Sequence, residues 1–136
     1  MATYAQVSDL IARFGEAEII DLTDRADPRT GAVDATVAEL ALADADAEID
    51  GYVARRYDLP LATVPPVLTR LACDIARYRL WDDRAPDEVR QRYEDATRIL
   101  REIADGRHRL EAAAPQAPAA LPAWRAPGRV MPPVEY

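Results

Sequence analysis

The chain has 136 residues, enough for one domain built around a single core. It is 49% hydrophobic and 30% charged, which excludes wholesale disorder, and its longest apolar runs fall far short of the roughly 20 residues that a bilayer-spanning helix needs. A formal net charge of -7 opposes tight binding to nucleic-acid phosphates, and the single cysteine, Cys73, cannot form an internal disulfide or a thiolate metal site alone.

Hydrophobic spacing and helix breakers predict five helices. Val7, Leu10, Ile11 and Phe14 recur at helical intervals, and Gly15 stands where a left-handed cap would stop the helix. Residues 16–22 form a second short helix with Ile19, Ile20 and Leu22 apolar and acids in its first turn, favourable toward the helix dipole. A loop over residues 23–31 is built around Asp27-Pro28 and Gly31. The longest helix runs from Asp34, a good N-cap, to about Tyr57, with Val37, Leu40, Ala41, Ala45, Ile49, Tyr52 and Val53 on one stripe and acids on the other face. Pro65-Pro66 suit the opening of a fourth helix, which carries Val67, Leu68, Leu71, Ala72, Ile75 and Tyr78 and ends near Trp81. Pro86 starts the fifth, whose Val89, Tyr93, Ala96, Leu100 and Ile103 follow seam spacing until Gly106 ends it.

No segment shows sustained strand alternation. The expected fold is all-α, a small bundle of about five helices over residues 1–106, followed by an extended Pro- and Ala-rich C-terminal arm over residues 107–136. Six of the eleven prolines fall in that arm. Charge divides the same way: net -8 over residues 1–64, -1 over 65–106 and +2 over 107–136.

The chain contains no Lys and no Asn, one Ser (Ser8) and one His (His108), and arginine supplies all 17 positive charges, the residue usage of a GC-rich genome. Schiff-base lysines, Ser-His-Asp triads and Cys-His pairs need residues that are absent or present once. The expectation is a chain with no enzymatic activity and no required cofactor. Residues 1–9 carry no basic cluster ahead of an apolar stretch, so no secretory signal is expected either.

The run Asp44, Asp46, Glu48, Asp50 is the one candidate for metal chemistry, because its i, i+4 pairs could share a hard cation; a solvated acidic face is the plainer reading, and no catalytic or metal residue is assigned. Residues 24–34 lack the alternating oxygen ligands of a calcium loop. Arg70, Arg77 and Arg84 read as partners for interleaved acids more than as a nucleic-acid strip. Tyr52, Tyr78, Trp81 and Tyr93 are spaced as packing residues, Cys73 reads as a small core residue, and His108 as exposed. Leu121, Trp124, Arg125, Val130, Met131 and Tyr136 have no core to join in a Pro-rich arm, so they are the candidate partner-binding residues.

These residues together form a recognisable pattern. YAQVSDLIARFGEAEIIDLT (residues 4–23), Ile49-Asp50-Gly51-Tyr52 with Arg56-Tyr57-Asp58-Leu59-Pro60-Leu61, and Pro65-Pro66-Val67-Leu68 leading into LACDIARYRL (residues 71–80) closely resemble the phage Mu type of small head-tail connector protein over about residues 4–106. The resemblance implies a helical adaptor in the virion neck of a tailed phage or phage-like particle, assembled in the bacterial host cytoplasm. It implies docking on the portal protein and a ring of copies, commonly twelve, that continues the DNA channel toward a tail stopper or terminator protein. DNA would pass without sequence-specific binding, and no membrane would be involved. With a ring in view, Asp44 and Glu48 on the third helix and Arg77 and Arg84 near the fourth become candidates for opposing sides of a subunit interface. The alternatives are an all-α Mg-dependent nucleotide pyrophosphohydrolase using the Asp44 to Asp50 carboxylates, and a small DNA-binding regulator using its arginines.

Overall fold

The computed structural model describes residues 3–110. Five α-helices follow in order: α1 (Val7–Phe14), α2 (Glu16–Thr23), α3 (Ala35–Val53), α4 (Pro66–Trp81) and α5 (Asp87–Ala104), with a 3-10 turn at Asp82–Arg84. No strand occurs among the described residues, so the fold is the expected all-α bundle.

Local chemistry sets the helix ends. The Asp9 carboxylate accepts the Gln6 N–H at 2.8 Å at the start of α1, and Gly15, at φ 93°, takes the left-handed turn that separates α1 from α2. The Asp34 carboxylate accepts the N–H groups of Thr36 and Val37 and caps α3. Between α2 and α3 the loop closes on its own ends. Thr23 Oγ1 donates to Ile19 O at 2.7 Å and accepts the Asp34 N–H at 3.0 Å, while buried Asp24 accepts the Gly31 N–H at 2.7 Å.

Helix α4 is the axle of the bundle. Residues 71–77 are all buried, because α3 and α5 flank it and α1 and α2 cover the remaining side. Small residues at Ala72, Cys73 and Ala76 let these neighbours approach closely. Leu42, Ile49, Leu68, Leu71, Ile75, Leu100 and Ile103 form the fully buried centre. Complete burial of a Leu or Ile side chain contributes about 1.5–3 kcal/mol, so this cluster dominates the stability of the body.

Three features differ from the sequence reading. Helix α3 stops at Val53, four residues early: Arg55 and Arg56 bond back three residues, to Tyr52 O and Val53 O, and the tightened turn drives the Tyr57 side chain into the core. The buried stripe of α3 runs through Ala38, Leu42, Ala45, Ile49 and Val53, leaving Leu40 66% exposed. Leu40 and Leu42 lie about 200° apart on a helix, so one stripe cannot bury both. Finally, the chain beyond Gly106 stays on the body through Leu110, which is buried and donates its N–H to Tyr57 Oη at 3.0 Å. His108 is accordingly half-buried, beside Pro65 and Pro66, not exposed.

Candidate functional site

The acidic run of α3 is mostly a set of structural pegs. Asp46 is only 7% exposed, and its carboxylate accepts the N–H groups of Thr3 at 2.7 Å and Tyr4 at 3.3 Å. Asp50 accepts the Tyr4 hydroxyl, and Thr69 Oγ1 donates to Tyr4 O at 2.8 Å, so residues 3–5 are strapped across α3 and α4. Burial, then the hydrogen bond to Asp50, pushes the Tyr4 phenol well above its ordinary value. Glu48 accepts from Arg79 at 2.8 Å and from the Tyr93 hydroxyl at 2.9 Å, while the Tyr93 ring stacks on Tyr78 with centroids 4.2 Å apart. Only Asp44 of the four lies on the solvated face that the sequence suggested for all of them. Their carboxylates serve different partners, and among the described residues no group of three or more His, Cys, Asp or Glu side chains converges on a metal-sized space.

A second network ties α2, α4 and α5. Arg77 is 8% exposed and donates to Glu18 from Nε at 2.7 Å and from Nη2 at 3.1 Å, with its guanidinium 4.3 Å above the Phe14 ring. Trp81 Nε1 also donates to Glu18, at 3.2 Å. Burial alone would raise the Glu18 carboxyl, but hydrogen bonds from Arg77 and Trp81 and the charges of Arg77 and Arg92 outweigh it and hold it below its ordinary 4.5. Arg77 Nη1 is buried without a hydrogen-bond partner, 3.7 Å from Glu88, and Glu88 in turn pairs with Arg92 at 3.0 Å.

Behind this network, Arg13 and Phe14 of α1, Arg70 and Asp74 of α4, and Arg92 and Asp95 of α5 line a cleft of about 260 Å³. Asp74 forms its inner wall. Its nearest cation, Arg92, stands 3.9 Å away, and burial raises the Asp74 carboxyl against the opposing pull of Arg92, Arg70, Arg13 and Arg77. Cys73, next to it, is fully buried and its thiol is pushed up to about 12, chiefly by burial. Sequence spacing missed this cleft, because its arginines come from three helices whose packing brings them together.

Of the residues expected at a subunit interface, Asp44 and Arg84 are exposed, whereas Glu48 and Arg77 are engaged in ion pairs within the body. Those expected as partner anchors, Leu121, Trp124, Arg125, Val130, Met131 and Tyr136, lie outside the described residues.

Fold and site together define a small all-α bundle whose helices are pinned to one another by a few buried or half-buried ion pairs, Glu18 with Arg77 and Glu48 with Arg79 among them. The chain belongs to the bacteriophage Mu Gp36 family, which residues 4–124 match. Gene product J of Escherichia phage Mu is 40% identical over 104 residues, covering 76% of this chain and 73% of that protein. The Mu-like prophage FluMu protein gp36 of Haemophilus influenzae is 42% identical over 106 residues, covering 78% of this chain and 74% of that protein. Among the described residues, no helix is long and apolar enough to cross a membrane.

Proposed function

We propose that this protein is a structural, non-enzymatic head-tail connector: an adaptor in the neck of a tailed phage or phage-like particle that forms a ring on the portal and continues the DNA channel toward the tail stopper or terminator. The family match over residues 4–124 carries the reading, since it spans the whole helical body that bears the connector-like segments. Three properties support it. The body is a compact helical unit suited to repetition in a ring, the chain's acidic balance of -7 repels the DNA backbone and lets a duplex slide, and the Pro- and Ala-rich sequence beyond Leu110 carries apolar side chains fit to anchor on another protein.

In this reading the arm beyond the body grips the portal or a neighbouring adaptor through Leu121, Trp124, Arg125, Val130, Met131 and Tyr136. Its prolines restrict the free chain, so less conformational entropy is lost on docking than for a Gly/Ser arm. No cofactor and no membrane take part. The test is deletion of residues 112–136 in the producing phage or prophage, with particles counted by electron microscopy. Loss of tailed particles, with the melting of the purified body nearly unchanged, is the expected result; normal tailed particles would refute the arm. Absence of the full-length chain from purified virions, read by mass spectrometry, would refute the connector reading itself.

A further inference from the structure

Among the described residues, many exposed charges of the body lack an ion-pair partner within it, and two small groups of them stand beside features that could dock. On α3, Glu39 and Asp44 are exposed on either side of Leu40, the one large hydrophobic residue exposed among those described. Leu40 borders a hollow of about 140 Å³ with Asp44, Arg79 and Leu80, and Arg25 lies at its edge. Among the described residues, neither Glu39 nor Asp44 has an arginine within ion-pair distance, and neither Arg13 nor Arg70 has a carboxylate there. Those two arginines edge the cleft that Phe14 and Asp74 line.

The two surfaces look in opposite directions. Arg79 borders the Leu40 hollow and Arg70 the cleft, and nine residues separate them on α4, which places them about 180° apart around that helix. One side thus presents an apolar knob flanked by the unpaired acids Glu39 and Asp44, with Arg25 and Arg79 at its hollow, and the other a cleft with an aromatic wall and the unpaired arginines Arg13 and Arg70, its lining also including Asp74, Arg92 and Asp95. A contact between unlike faces on opposite sides of one subunit repeats from copy to copy, and such contacts are the kind that close into rings.

We infer that the Leu40 knob of one copy seats in the Arg13–Arg70 cleft of the next, with Glu39 and Asp44 facing the two arginines. The occupant of the cleft is therefore a second copy of this chain. The contact deepens the connector reading and rests on it for the ring, but the charge match and the opposed placement stand on the body alone. Asp44 is common to this contact and to the interface expected from the sequence, and Arg13 and Arg70 take the opposing side here because Arg77 is held within the body by Glu18.

Disulfide trapping of the full chain tests the contact. In a Leu40→Cys/Arg70→Cys double variant, mild oxidation at high protein concentration and low salt is expected to give a ladder of trimers and larger species. Each single variant stops at dimer, and an Arg55→Cys/Arg101→Cys pair on other exposed faces gives no ladder. Adding Arg13→Glu to the double variant should reduce the ladder at least fivefold, and adding Glu39→Arg as well should restore it. Circular dichroism of each variant shows that its helices are intact. No species above dimer, or a ladder indifferent to Arg13→Glu, overturns the contact. Virions that contain the chain in the neck but give no link between positions 40 and 70 overturn it too, and leave the connector reading standing.

Discussion

Arg77 on α4 holds Glu18 on α2 through two hydrogen bonds, at 2.7 and 3.1 Å, in a pair set largely apart from water. Two charges separated by 59 positions in sequence thereby fix a short, weakly amphipathic helix to the centre of the bundle. A bidentate arginine–carboxylate pair also fixes orientation, which a purely apolar contact would leave freer.

That pair gives stability a defined dependence on acid. Glu18 has a folded-state value below its ordinary 4.5, so its contribution is present above 4.5 and is lost as pH falls through the lower folded value. Glu18→Gln is expected to cost about 1–3 kcal/mol at neutral pH. The deficit should shrink as pH drops below about 4.5, measured by urea denaturation across pH.

Asp74 has the opposite sign. Its folded value lies above the ordinary 3.8, so its protonated form contributes stability fully below 3.8 and loses that contribution as pH rises through the folded value. Asp74→Asn should therefore raise the denaturation midpoint at neutral pH and flatten the change near and above 3.8. A lower midpoint at neutral pH would show that the Arg92 contact outweighs burial.

Leu71→Ala should destabilise the body by about 2–5 kcal/mol, because Leu71 is fully buried on the central helix. Asp44→Ala should change stability by less than about 0.5 kcal/mol, since it lies on the exposed face. Thermal melts of both variants check the order.

Asp46→Ala should fall between these two, at about 1–3 kcal/mol, because it strands the Thr3 and Tyr4 N–H groups that its carboxylate accepts. Proteolysis or hydrogen exchange at residues 3–5 should register the loosened strap before the helices respond.

Tyr57→Phe removes the hydroxyl that accepts the Leu110 N–H and should cost about 1 kcal/mol, while leaving the ring buried. Faster exchange at the Leu110 amide, with the rest of the body unchanged, is the expected signature.

Much of the fold was legible because its signals are local. Gly15, the Asp34 cap, Pro65-Pro66 and Pro86 each act on their own turn, and the structure places helix ends at all of them. The seam of α5 was equally plain, except that Tyr93 is half-buried, its hydroxyl turned to Glu48. What sequence could not show depends on neighbours. Periodicity alone cannot choose between Leu40 and Leu42 on a helix apolar around much of its circumference, and it read Asp46 as solvated because the strap that covers it comes from the other end of the chain segment. The Arg13–Arg70–Arg92 cleft has no motif in sequence, since its residues are juxtaposed only when α1, α4 and α5 pack.

The burial of residues 71–77 on every side of α4 gives the protein an internal gauge. Backbone amides so enclosed exchange with solvent only when the whole body opens, so their exchange rates report the global free energy of unfolding. Any partner that binds the folded body and not the open chain must slow those amides by the factor its concentration and affinity dictate, wherever on the surface it binds. A portal fragment, a neighbouring copy or a tail component could thus be ranked by affinity from one buried helix, without a label at the interface itself.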